Sequence, residues 1–253
     1  MAQRLTGTTA LVTGASSGIG EAAALALAAE GARVSLVARR RDRLEALAER
    51  IRAAGGAALV VEADITDRAA ATEAVERTVR ELGRLDTVVN NAGVMLIGRA
   101  EEAPVEEWDR MIALNVQGLM YVSHAALPHL LRAAAGDPRG VADLVNISSV
   151  AGRKTGAGAA VYNATKFGVG AFSDALRQEV TERHVRVSLV EPGAVETELQ
   201  SHNRPEIQEQ MRAGDAGMEP LRPDDIADAI AYVVTRPRHV AVNEILVRPT
   251  EQP

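Results

Sequence analysis

The 253-residue chain carries 28 Lys and Arg against 34 Asp and Glu, a formal net charge of −6, and an acidic balance of this kind repels nucleic acid and anionic membrane surfaces unless a local basic patch reverses the field. It has no cysteine, which excludes disulfides, thiolate nucleophiles and cysteine-ligated metals. Hydrophobic residues make up 47% but aromatics only 2%, so the core of one α/β domain has to be built from Ala, Val, Leu and Ile.

From the amino terminus, the apolar run Thr8–Thr13 enters a glycine-rich turn and then the helical pattern Gly18–Glu30. Arg33–Ala38 precedes helical Arg41–Ala54, and Ala57–Glu62 precedes helical Asp67–Leu82. Thr87–Asn90 leads to a long helical stretch, Val105–Leu131. Val141–Ser148 is followed by helical Ala159–Arg183, Arg186–Glu191 by helical Asp224–Thr235, and Glu244–Val247 closes the series. The apolar runs hardly alternate with polar residues, as expected of strands covered on both faces. Strand–helix alternation predicts one Rossmann-like, doubly wound α/β domain over 1–253, with about seven parallel strands and helices on both faces. The loop Ala133–Gly140, with Gly136, Asp137 and Pro138, is too closely followed by a core strand to be a linker. Glu198–Pro220 is polar and contains Gly214 and Gly217; it is either a lid over a site or a surface excursion, and the lid is expected.

The first turn reads Gly14-Ala15-Ser16-Ser17-Gly18-Ile19-Gly20. Gly14 allows a sharp turn, Gly18 removes a side chain where a pyrophosphate approaches the backbone, and Gly20 lets the helix lie against the strand. The helix start offers free N–H groups to phosphate, and Ser16 and Ser17 add hydroxyls. Its place after a strand and before a helix makes it a dinucleotide site. The second strand ends Val37-Ala38-Arg39-Arg40-Arg41 with no carboxylate to grip a ribose 2′-hydroxyl. Arg39 and Arg40 suit a 2′-phosphate instead, so NADP(H) is the expected cofactor, and Arg39→Asp is expected to move preference toward NAD. Tyr162 and Lys166 are four residues apart, one turn along a helix face. A phenol is protonated at neutral pH, and a neighbouring ammonium is expected to lower its pKa and ready it for proton exchange. Lys166 can also hold ribose hydroxyls.

Thr13-Gly14-x-x-x-Gly18-Ile19-Gly20, with Tyr162-x-x-x-Lys166, resembles the short-chain dehydrogenase/reductase superfamily over nearly the whole chain. The resemblance implies a carbonyl–alcohol oxidoreductase whose catalytic set is Asn115, Ser149, Tyr162 and Lys166. Ser149, 13 residues before Tyr162, would polarise the substrate oxygen, with Ser148 as the competing choice. Asn115 would hold a water relaying protons from Lys166, or merely brace the backbone. Asn90-Asn91-Ala92-Gly93 would shape the sheet edge beside the nicotinamide, with Asn91, Ala92 and Gly93 in the cofactor site. Asp64-Ile65 would meet the adenine, or Asp64 would cap a helix. Pro192-Gly193-Ala194-Val195-Glu196-Thr197 would contact the carboxamide through backbone and the Thr197 hydroxyl.

The carboxy-terminal Glu244–Thr250 and the 164–169 pattern resemble two closer branches, clavulanate-type aldehyde reductases and NADP-dependent 3-hydroxy acid dehydrogenases. An NADP(H)-sensing regulator is the alternative without catalysis; the complete tetrad argues against it. The resemblance implies a homodimer or homotetramer acting on a small carbonyl or alcohol. His124, His129, His184, His202 and His239 show no metal-ligand spacing, so no metal is expected. With no signal-peptide run in Met1–Gly7 and no membrane-length apolar stretch, a cytoplasmic protein is expected.

Overall fold

The computed structural model describes residues 3–136, 138–214 and 217–252. Asp137 of the 133–140 loop and Asp215 and Ala216 of the expected lid lie outside the described residues, as do the first two residues and the last. The elements run β1 (Thr9–Thr13), α1 (Gly18–Ala29), β2 (Arg33–Ala38), α2 (Arg41–Ala53), β3 (Ala57–Glu62), α3 (Arg68–Leu82) and β4 (Thr87–Asn90). They continue as α4 (Val105–Ile112), a π-helical turn over Ala113–Gly118, α5 (Leu119–Ala134), β5 (Ala142–Ile147), α6 (Ala160–Val180) and β6 (Val185–Pro192). After a 3₁₀ segment at Glu198–His202 come α7 (Pro205–Gly214), α8 (Pro223–Val234) and β7 (Glu244–Val247).

All seven strands are parallel, in the order β3-β2-β1-β4-β5-β6-β7. This is the doubly wound, single-domain arrangement expected from the sequence. Successive residues of one strand feed opposite layers, which is why the runs read as unbroken apolar sequence. Ala10 and Val12 pack with Leu27, Leu44, Ile51, Ile226 and Ile230 on one face. Leu11 packs with Val75, Val122, Leu130 and Leu144 on the other. Buried acids at the amino ends of the strands are paired: Asp86 with Arg84, and Asp143 with Arg186 (2.7 Å) and Arg139 (3.0 Å). They brace the edge opposite the cleft described below.

Two long expected elements are subdivided. The single helix expected over Val105–Leu131 is α4 and α5 joined by the π-helical turn, which widens the helix at Asn115 in the manner common near functional sites. The 198–220 stretch holds a 3₁₀ segment and α7. It leaves and returns at one point, where Leu221 N donates to the Ala194 carbonyl and Glu196 N to the Leu221 carbonyl. Beyond it, Pro223 opens α8, and Asp225 accepts from Arg222 N at 2.7 Å.

Candidate active site

The order of strands reverses between β1 and β4, which leaves a crevice at their carboxyl ends. A cleft of about 280 Å³ opens there. Gly14 and Gly18 both take left-handed backbone (φ 66° and 55°), which only glycine adopts at little cost. A Cβ on Gly20 would stand 2.5 Å from Asn91 Nδ2 and closer still to the Gly14 carbonyl oxygen. Gly20 therefore shapes the turn from behind and does not line the cleft. Asn91 ties β4 to the same turn. Its Nδ2 donates to the Thr13 carbonyl at 3.0 Å, and the backbone N–H groups of Asn91 and Ala92 donate to Thr13 Oγ1 at 3.0 and 3.1 Å. Ser17, the first residue before α1, makes no side-chain cap, so the helix start is left with N–H groups for an anion.

The two arginines at the β2 tip differ. Arg40 Nη2 donates to Ser16 Oγ (2.9 Å) and Ser17 Oγ (2.7 Å), and its Nη1 to Glu198 (2.8 Å). Arg43 joins the same carboxylate at 2.6 Å. The two guanidiniums hold the Glu198 carboxyl down at about 2. Arg39 is more exposed and stands 3.8 Å from Asp64. Asp64 accepts from Thr66 N (3.0 Å) and Thr66 Oγ1 (2.7 Å), closing its own turn, while the α3 cap is Asp67, which accepts from Ala70 N. Arg39, Arg40, Asp64 and Ile65 all line the cleft, as do Ser16, Ser17 and Ile19.

At the other end, Ser149, Tyr162 and Lys166 line the cleft with Asn91, Ala92 and Gly93. Lys166 Nζ donates to the Ile147 carbonyl at 2.8 Å and lies 5.8 Å from the Tyr162 ring centre. The expected lowering of the phenol by this cation gives way to a rise. Burial pushes Tyr162 up to about 12, and a hydrogen bond with Ser149 only partly offsets it. The same burial lowers Lys166 to about 8. Desolvation disfavours both charged forms, and the ammonium is turned toward a carbonyl. Ser149 Oγ also accepts from Ala151 N at 3.1 Å, whereas Ser148 Oγ turns toward the Lys166 carbonyl at 3.4 Å.

Asn115 lies behind the wall. Its Oδ1 accepts from Val94 N (2.8 Å), and its Nδ2 donates to the Val94 carbonyl (2.8 Å) and to Thr165 Oγ1 (3.2 Å). These are the bonds of a backbone brace. A second buried chain backs the same wall: Asn90 donates to Ser123 Oγ and to Asn146 Oδ1, both at 2.9 Å, and Asn146 donates to Ser173 Oγ at 2.8 Å. Pro192, Gly193, Val195 and Thr197 complete the rim. Thr197 Oγ1 accepts from Leu199 N at 3.2 Å. The sequence reading did not single out Val94, Leu114, His202 or Glu198, which also line the cleft. Val94, Leu114 and Glu198 adjoin the expected site residues Gly93, Asn115 and Thr197 in sequence, but nothing in their own residue types marks them as lining.

The buried lysine has a measurable consequence. An unfolded lysine titrates near 10.5 and the folded one at about 8. Between these values the unfolded chain binds more protons, so the contribution of Lys166 to stability rises with pH across that window and is lost as pH falls through about 8. Comparing Lys166→Met with the parent by urea unfolding, the parent is expected to gain roughly 2 kcal/mol on the variant between pH 7 and pH 10. A pH-independent difference would place the lysine charge in water.

Among the described residues no group of three His, Asp or Glu could hold a metal, and no helix is long and apolar enough to cross a membrane. The short chain dehydrogenase family model matches residues 8–208. The chain is 40% identical over 249 residues to the glycine betaine reductase ATRR of Emericella nidulans, a match covering 98% of this chain but only 19% of that protein. An uncharacterized oxidoreductase of Staphylococcus aureus is 37% identical over 245 residues, which is 97% of this chain and 98% of the relative. Among solved structures, the closed form of a serine dehydrogenase complexed with NADP+ superposes with a TM-score of 0.88 at 33% identity, covering 97% of this chain and 96% of the other.

Proposed function

The chain belongs to the short-chain dehydrogenase family, and on that premise we propose that it is an NADP(H)-dependent oxidoreductase interconverting an aldehyde or ketone and an alcohol, with Tyr162 as the proton donor and acceptor. The observation that carries this reading is the placing of Ser149, Tyr162 and Lys166 in the same cleft as the glycine turn. The cleft fits a dinucleotide phosphate at both ends. A Cβ on Gly18 would come within 3.1 Å of Thr197 Cγ2, so the space between turn and rim exists only without a side chain. At the β2 tip the basic groups outnumber the acidic ones, which favours a 2′-phosphate. The serine dehydrogenase of similar fold holds NADP+.

NADP(H) supplies or accepts the hydride when bound. Ser149 and Tyr162 hold the substrate oxygen between their hydroxyls. A phenol held up at about 12 stays protonated throughout the neutral range and is available to give a proton to a carbonyl oxygen. Lys166 steadies the ribose side of the cleft, and Asn115 keeps the Val94 segment behind it in place. The 198–214 stretch is the lid: Leu199 and His202 face the cleft, while Asn203 ties its middle to the β4–α4 loop by accepting from Ile97 N (2.7 Å) and donating to the Met95 carbonyl (3.0 Å).

The test is a panel of aldehydes and ketones followed by NADPH absorbance, where turnover of at least one member is expected and none with any carbonyl would sink the reading. In the same assay the cofactor assignment centres on Arg40, the arginine seated on both serines. Arg40→Asp is expected to shift the NADPH-over-NADH ratio of kcat/KM by roughly 100-fold, about the 2–3 kcal/mol of one charge-assisted site. A larger shift for Arg39→Asp would return the role to its neighbour.

A further inference from the structure

Glu198 is gripped by both Arg40 and Arg43. It sits at the first position of the 3₁₀ segment that opens the 198–214 stretch, and it lines the cleft beside Ser16 and Ser17. Its two oxygens are divided, one to each guanidinium, at 2.8 and 2.6 Å. A divided carboxylate of this kind imitates two oxygens of a phosphate. We propose that Glu198 is a carboxylate latch: it occupies the 2′-phosphate position between Arg40 and Arg43 in the free protein, and the cofactor's 2′-phosphate displaces it and so loosens the start of the lid. This rests on the NADP(H) reading above and adds the competing residue to it.

The charges determine the direction of exchange. Two guanidiniums carry twice the charge that one carboxylate neutralises, whereas a phosphate monoester brings about −1.5 to −2 and three acceptor oxygens. The phosphate is the better partner for the pair, and a carboxylate left against it is repelled. A 2′-hydroxyl has no charge with which to displace the carboxylate, so NAD(H) leaves the latch closed.

The mechanical link is short. Between Thr197 and Asn203 the segment is held by Glu198 on the cofactor side and by Asn203 on the Met95–Ile97 backbone. The two ion pairs of Glu198 tie the start of this segment to the β2–α2 side of the cleft, and their release frees that end. The latch thus couples the phosphate that distinguishes two cofactors to the mobility of the element facing the substrate. Arg40 and Glu198 lie 158 residues apart in sequence, so the coupling is a property of the fold.

The experiment compares the parent with E198Q, using adenosine 2′,5′-bisphosphate and adenosine 5′-monophosphate as probes, titration calorimetry for affinity, and amide hydrogen exchange over 198–203 for mobility. Removing two exposed ion pairs that compete with the ligand is expected to tighten bisphosphate binding about five- to tenfold in E198Q, with the monophosphate changed less than about twofold. In the parent the bisphosphate, and not the monophosphate, is expected to speed exchange over 198–203; in E198Q exchange is fast from the outset. Both changes are required. Equal bisphosphate affinity in the two proteins, or binding without faster exchange in the parent, overturns the latch while leaving the phosphate site intact. Bisphosphate binding no tighter than monophosphate in either protein overturns the NADP(H) reading and the latch with it.

Discussion

Tyr162→Phe is expected to lower kcat for carbonyl reduction by roughly 10³-fold, within the range that a positioned general acid contributes. The substitution removes one oxygen and leaves the ring, which packs with Val94, Leu96 and Met111. Affinity for NADPH should stay within about twofold, because uniform binding is untouched when only a transition-state proton transfer is lost. The melting temperature should move little, since the hydroxyl given up is a buried group with Ser149 as its partner and its removal costs about 1 kcal/mol. Stopped-flow reduction with saturating NADPH, alongside a melting curve, separates the outcomes. Retention of more than a tenth of the parent rate would transfer the proton to another group. Loss of rate together with loss of cofactor binding would show that the ring had moved.

The largest effect on stability is expected at Gly20. Gly20→Ala adds one methyl group where a Cβ meets Asn91 Nδ2 at 2.5 Å and the Gly14 carbonyl oxygen more closely. Both are fixed: Gly14 by its left-handed turn, Asn91 by its bonds to Thr13. Relief requires the first turn of α1 to lift from β1, at about 2–3 kcal/mol for overpacking of this kind. For a domain of this size that lowers the melting temperature by roughly 5–10 °C. Because the lifted turn is the proposed phosphate cradle, the Kd for NADP+ should rise at least about tenfold. Gly168→Ala is the control. Gly168 lies in α6 with nothing within 4 Å of a Cβ, and alanine in a helix is favoured over glycine by up to about 1 kcal/mol. The same chemical change is therefore expected to destabilise at one position and to be neutral or stabilising at the other. Equal melting shifts for the two would refute the close approach at Gly20.

Features visible in the sequence are those whose cause is local. The runs at 33–38 and 87–90 coincide with β2 and β4, central strands whose burial on both faces leaves an unbroken apolar signature, and the runs at 57–62 and 244–247 coincide with the half-buried edge strands β3 and β7. The glycine turn was equally legible, because left-handed backbone admits few other residues. So was the Tyr162–Lys166 pair, since four residues along a helix fix one face. The boundaries that shifted did so where tertiary contacts extend or divide an element. β6 runs on through Pro192, paired with Val247 of β7. The long helix is interrupted at the π-helical turn, where Asn115 turns inward to both polar groups of Val94.

Composition, periodicity and spacing by themselves settled the doubly wound sheet, its glycine turn and the helix carrying tyrosine and lysine, because each is written in residues close together along the chain. The three-dimensional packing settled which way the groups titrate and whom they meet. It buried Tyr162 so that desolvation outweighs its hydrogen bond with Ser149, seated Arg40 rather than Arg39 on the two serines, and brought Glu198 across 158 residues to the same guanidinium. Burial and ion pairing depend on which surfaces face each other once the sheet is wound, and the distance between two residues along the chain does not encode that.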